Sequence, residues 1–236
     1  MSKRRGLEAD QKVIAHHHCY AMTATTALTA QNTQGVRAIN SVAPEFVREQ
    51  INAVFDDMGV DVVKIGMLSS NETVEIVTSC LRRYGSPPVV LDPVMVATSG
   101  AQLLPDEAVS SLCEKLLPIT TILTPNLPEA KLLLKHAGHT VPDIRSINEL
   151  LAIAAQIQAL GPKYVLLKGG HVPLTRDGRI SQQDADNHVV LNVLCGEGET
   201  TLLETDYVAS RNTHGTGCSL ACELIRSFVA DCHPCF

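Results

Sequence analysis

The chain has 236 residues, 45% hydrophobic and 19% charged, with a formal net charge of −6, a balance that argues against a nucleic-acid backbone as its main partner. No apolar run approaches the ~20 residues of a membrane span. Met1-Ser2-Lys3-Arg4-Arg5 has no apolar stretch behind it to make a secretory signal. Eight scattered cysteines in a chain too long to need a disulfide framework read as reduced thiols in a cytoplasmic protein. Aromatic residues are 3% and Trp is absent, so the core must be built from Ala, Val, Leu and Ile, which suits buried parallel strands covered by helices.

In chain order, Leu7 to His18 reads as a helix with Leu7, Val13 and Ile14 among charged neighbours. His16-His17-His18 cannot easily share one ion, because consecutive helical residues point in different directions, so they read as an ordinary helix end. Met22 to Leu28, small, apolar and Thr-rich, predicts a buried strand, and Gln31-Asn32-Thr33-Gln34-Gly35 a polar loop after it. In an open parallel sheet, ligands lie beyond the carboxyl ends of the strands. Gln31, whose amide both donates and accepts, is well placed there to bind a heterocycle, although the loop taken alone reads as plain turn chemistry.

Pro44 to Met58 carries Phe46, Val47, Ile51, Val54, Phe55 and Met58 at helical spacing. Asp61 to Leu68 is the next strand and its exit, and Ser69 with Glu72 predicts a capping box. Asn71-Glu72-Thr73 fits the glycosylation pattern and is idle without secretion. Val89 to Met95 is strand then loop, with Asp92 at the strand's carboxyl end, where it could hold a metal or cap a loop N–H. Ser99-Gly100 marks a turn, and Pro105-Asp106-Glu107 starts a helix. Thr121 to Thr124 is a short strand leading to Asn126 and Glu129, three apart, an N-cap pair for a helix running to His136. Ser146 and Glu149 open another helix by the same rule.

Lys163 to His171 is a strand ending in Gly169-Gly170, a pair that could bring backbone close to a ligand. Asp177-Gly178 marks a turn. His188 to Leu194 and Thr200 to Leu203 read as antiparallel edge strands. Asn212-Thr213-His214-Gly215-Thr216-Gly217-Cys218 then precedes the last helix, which carries Leu224, Ile225, Phe228 and Val229 and stops at Pro234. Glycines there let successive N–H groups converge, and the helix adds its unpaired donors and the positive end of its dipole, an anion hole suited to phosphate. A thiol at that helix start, Cys218, would have its pKa lowered. A Gly-containing loop beside a buried Cys is the plainer alternative. Cys232-His233-Pro234-Cys235 has redox or zinc spacing but stands alone at a terminus. Strand and helix alternate almost throughout, without repeat or linker. The expected architecture is one α/β domain with a mostly parallel central sheet and helices on both faces.

Taken together, six stretches in this order resemble the hydroxymethylpyrimidine/phosphomethylpyrimidine kinases of the ribokinase superfamily. They are Ala24 to Val36, Lys64-Ile65-Gly66-Met67-Leu68, Leu91 to Gly100, Thr124-Pro125-Asn126-Leu127-Pro128-Glu129-Ala130, Leu167-Lys168-Gly169-Gly170-His171 and Arg211 to Cys218. The resemblance implies a three-layer ribokinase-like fold and ATP-dependent phosphorylation of 4-amino-5-hydroxymethyl-2-methylpyrimidine and then of its monophosphate, in thiamine biosynthesis. It implies Gln31 on the pyrimidine, with Met67 and Val94 lining its pocket. Cys218 would be the proton acceptor, with Gly215, Thr216 and Gly217 around the phosphate. Glu129 and Asp92 would lie near Mg²⁺, and Asn126 and Lys168 on the nucleotide side. A thiol that only shapes the site is the rival role for Cys218.

Members of that family usually open with a strand and a Gly-rich loop, of which only Gly6 stands here, and continue past the Cys helix with further helices. An internal strand and part of the pocket wall are therefore expected to be missing, with exposed apolar surface favouring a homo-oligomer or instability. A member that only binds ligand or a partner chain, and a pyridoxal kinase on the same scaffold, are the alternatives to an active pyrimidine kinase.

Overall fold

The computed structural model describes residues 6–32, 35–95, 103–141, 144, 146–169, 174–175, 188–206 and 216–225. Ser99-Gly100, Gly170, His171, Asp177-Gly178, Gly215 and the Cys232–Cys235 pair lie outside them.

Four short apolar strands make the centre: β3 (Val63–Ile65), β4 (Val89–Leu91), β5 (Ile122–Leu123) and β6 (Tyr164–Leu167), all parallel and side by side. They are joined by α3 (Asn71–Arg83), α4 (Asp106–Ser111) with its continuation to Ile119, α5 (Leu127–His136) and α6 (Ile147–Gln158). Beyond β6 the sheet turns antiparallel. β8 (His188–Gly196) pairs with β6 through Val193–Gly196, with the short β7 (Leu174–Thr175) through His188–Val189, and with β9 (Glu199–Asp206) along its other edge. β8 is thus internal rather than an edge strand, and β9 is fully exposed beside it.

Strand side chains alternate between faces, and two cores follow from this. Val89, Leu91, Leu123, Val165 and Leu167 pack with α3 to α6 and with Val47 of α2 (Pro44–Asp57). Val90, Ile122 and Leu166 face the other way, onto Val13 and Ile14 of α1 (Leu7–His16) and Ala221, Cys222 and Ile225 of α7 (Thr216–Ile225). Helix, sheet and helix form the three layers of an α/β ribokinase-like fold.

Two local readings are corrected. Met22 to Thr26 is not a buried strand. The chain extends only from Ala27, where β1 (Ala27–Asn32) pairs with β2 (Gly35–Ser41) as a separate antiparallel ribbon off the main sheet. β1 is almost wholly exposed. Gln31 and Asn32 end β1 rather than forming a loop. The α3 cap is Ser70, whose side chain accepts from the Thr73 N–H, and not Ser69 with Glu72. Ser69 Oγ instead donates to the Thr26 carbonyl at 3.4 Å.

Candidate active site

The carboxyl ends of β3 to β6 lie along one edge of the sheet, and each places at least one sequence-selected residue there. β3 exits through Gly66 and Met67, β4 through Asp92 and Val94, β5 through Thr124 and Asn126, and β6 through Lys168. The β5 and β6 exits stay in register past the ends of the strands. Asn126 bridges Lys168 in parallel, and the Lys168 N–H donates to the Pro125 carbonyl at 2.9 Å. This holds the lysine against the start of α5.

Lys168 Nζ donates to Asp92 Oδ1 at 2.8 Å, although the two residues are 76 positions apart. Thr124, fully buried, reaches the same oxygen through its hydroxyl at 3.3 Å. Among the described residues the Asp92 side chain bonds to Lys168 and Thr124, and the Val94 N–H donates to the Asp92 backbone carbonyl at 2.8 Å. Asn126 and Glu129 make the full capping box: Asn126 Oδ1 accepts from the Glu129 N–H at 2.9 Å and Glu129 Oε2 from the Asn126 N–H at 2.8 Å. Asp92 and Glu129 are 3% and 4% exposed, so two carboxyl groups are buried around one ammonium. Burial pushes the Glu129 carboxyl up to about 7; Lys168 pulls it down, as do its bonds to Asn126, and Asp92 adds to the rise.

An excess of buried oxygen donors over cations is the environment in which a hard divalent ion lowers the electrostatic cost. Among the described residues no group of three or more His, Cys, Asp or Glu could hold a metal. A pair of carboxylates fits Mg²⁺, which keeps several waters and takes one or two carboxylates plus substrate phosphates.

The remaining sequence-selected residues are placed less closely. Met67 and Val94 are partly buried on neighbouring strand exits. The Met67 carbonyl accepts from Thr26 Oγ1 at 2.8 Å, which ties the base of the ribbon to the β3 exit. Gln31 sits on the ribbon, exposed. Thr216, Gly217 and Cys218 form the first turn of α7. β9 runs parallel to β6, since both are antiparallel to β8, so the chain leaves the sheet at the edge that carries the strand exits before entering α7. A Cβ on Gly169 would stand 1.8 Å from the Leu191 carbonyl oxygen, and its N–H donates to Asn192 Oδ1 at 3.1 Å, so this glycine brings backbone close to β8.

Thr124 and the Asp92–Lys168 pair are the features that reading the sequence missed. A polar residue ending an apolar strand was the available signal for Thr124; nothing local signals a pair 76 residues apart.

The family model for phosphomethylpyrimidine kinase matches residues 5–234. The chain belongs to that family. It is 39% identical to hydroxymethylpyrimidine/phosphomethylpyrimidine kinase of Escherichia coli over 219 residues, 93% of this chain and 76% of that one. The crystal structure of phosphomethylpyrimidine kinase from Clostridium difficile superposes with a TM-score of 0.70 at 30% identity, over 97% of this chain and 93% of that one. Pyridoxal kinase of Bacillus subtilis, solved as an ADP complex, gives a TM-score of 0.80 at 26% identity, over 98% and 81%. The chain spans about two fifths of the length of the first curated relatives it matches, 38% to 43%. Among the described residues no helix is long and apolar enough to cross a membrane.

Proposed function

We propose that this chain transfers the γ-phosphoryl group of ATP to the hydroxymethyl group of 4-amino-5-hydroxymethyl-2-methylpyrimidine, and then a second phosphoryl group to the monophosphate, in thiamine biosynthesis in the cytoplasm. Family membership supports the reaction class. The observation that carries the reading is the Lys168–Asp92–Glu129 cluster at the carboxyl edge of the parallel strands. Phosphoryl transfer asks for positioning and charge stabilisation more than covalent chemistry, and this cluster offers both.

In the proposed reaction the substrate hydroxyl oxygen attacks the γ-phosphorus while the bond to the β,γ-bridging oxygen breaks and ADP leaves. Cys218 Sγ takes the hydroxyl proton. The amides of Gly215, Thr216, Gly217 and Cys218 hold the charge on the migrating group. Lys168 and Asn126 serve the nucleotide side, and Gln31, Met67 and Val94 the pyrimidine. Mg²⁺, held through Asp92 and Glu129, would supply charge neutralisation of the phosphates. One domain carries the whole site, because both cores share a single sheet.

The test is ADP release with the pyrimidine alcohol and, in parallel, with pyridoxal. Turnover on the aminopyrimidine supports the proposal. Turnover on pyridoxal alone would favour the second reading, which the B. subtilis likeness supports. No turnover, with thermal stabilisation by ligand, would mark a binding protein. Cys218→Ala is expected to lower kcat about 10²-fold or more with nucleotide affinity kept, and Gln31→Ala to raise KM for the pyrimidine. Wild-type turnover in Cys218→Ala removes the proton-acceptor role.

A further inference from the structure

On the face of the sheet opposite α3 to α6, one carboxylate joins three elements. Asp10 of α1 is 6% exposed. Its Oδ2 accepts from Lys64 Nζ of β3 at 2.7 Å, and its Oδ1 from Cys222 Sγ of α7 at 3.3 Å. Both partners are buried, the Lys64 side chain at 7% and Cys222 at 1% exposed. Lys64 precedes Gly66 and Met67, the β3 exit, and Cys222 lies one helical turn after Cys218. The ammonium folds along that exit: a Cβ on Gly66 would sit 3.2 Å from Lys64 Nζ.

Among the described residues, α7 also packs on the sheet through an apolar cluster of Ala221, Cys222 and Ile225 with Val90, Ile122 and Leu166. Apolar burial is non-directional and tolerates a helix sliding along its axis. Hydrogen bonds to a buried charge do not, and fixing register is the best-attested use of such groups. A second tie, His17 Nε2 to Glu223 Oε2 at 2.7 Å, also joins α1 to α7, but its glutamate is half exposed and screened by solvent.

We propose that Asp10 is a positioning residue: through Cys222 and Lys64 it sets where the first turn of α7 stands relative to the β3 exit. This rests on the kinase reading for its effect on turnover, and on geometry alone for its effect on α7. A misplacement of about 1 Å can cost about 10²-fold in rate, so loss of this tie should lower kcat while changing KM little.

Three proteins test it: wild type, Asp10→Asn, and the double variant Asp10→Leu with Lys64→Met, which removes the buried charges together and so avoids leaving one unpaired. The expected result is a double variant with Tm near wild type and kcat reduced about 10- to 100-fold, KM values within about threefold, and displaced ¹H–¹⁵N amide signals of Gly217 and Ser219. A purely stabilising role would restore kcat along with Tm. Wild-type kcat and unmoved Gly217 and Ser219 signals in a folded double variant overturn the proposal. An inactive wild-type chain whose α7 amides still move in the variants would sink the kinase reading and leave the positioning role standing.

Discussion

Glu129 does two jobs that pull in opposite directions. It closes the α5 cap, and it is a carboxyl group buried beside Asp92, which raises its pKa to about 7. An ordinary carboxyl ionises near 4.5, so the unfolded chain loses this proton first. Its contribution to stability is greatest below about pH 4.5, falls as pH rises towards 7, and levels off above that. The cost above pH 7 is on the order of 3 kcal/mol at 1.36 kcal/mol per pKa unit. Glu129→Gln keeps an oxygen for the Asn126 N–H without the charge. In metal-free buffer it should therefore stabilise the fold at pH 8 and have little effect at pH 4.5; denaturation midpoints across that range measure this, and parallel curves for the two proteins would refute it. Gly169 makes the second residue-scale case. Because a methyl group would meet the Leu191 carbonyl, Gly169→Ala should destabilise by about 1–3 kcal/mol, the usual cost of overpacking, read as a lower urea midpoint. Asp92 is legible locally as the polar end of a short apolar strand, whereas Glu129 reads locally as a helix cap and, like Lys168, joins the site through the family resemblance; their pairing comes from strand order, which no local pattern encodes. For the same reason the approach of Gly169 to β8 is not legible locally: a glycine signals close approach without saying to what.

At the scale of elements, the parallel strands and their helices were legible because each strand is a short apolar run followed by a helix start, as at Thr124 to Glu129. The α5 boundary was the clearest, its capping box being wholly local. Met22 to Leu28 was misread for the opposite reason. Small apolar residues permit a buried strand without requiring one, and burial depends on a neighbour that lies elsewhere in the chain. Here Thr25 is instead clasped by Gln50 of α2, with the Thr25 N–H donating to Gln50 Oε1 at 2.9 Å and Gln50 Nε2 to the Thr25 carbonyl at 3.1 Å. The shift from Ser69 to Ser70 as the α3 cap has a similar origin. Two adjacent serines offer the same chemistry, and the choice falls to the one not already bonded to Thr26.

For the molecule as a whole, the proposed site at the two carboxylates and the α7 turn predicts that stability depends on what is bound. If Mg²⁺ and nucleotide engage both, a ligand at a hundred times its Kd should add about 2.7 kcal/mol. Mg-ADP should then raise Tm clearly, ADP with a chelator much less, and Asp92→Asn should bring the two conditions together. Equal shifts with and without Mg²⁺ would remove the metal from Asp92 and Glu129.

The ribbon of β1 and β2 stands outside both cores, with Leu28 60% and Ile39 41% exposed. A lone two-stranded ribbon is marginal in water, and the root of this one is tied to the β3 exit by Thr26 Oγ1 donating to the Met67 carbonyl and Ser69 Oγ donating to the Thr26 carbonyl. Chymotrypsin at low dose should consequently nick the chain after Leu28 before it cuts any helix, leaving two fragments that remain associated under native conditions, with saturating pyrimidine slowing the cut.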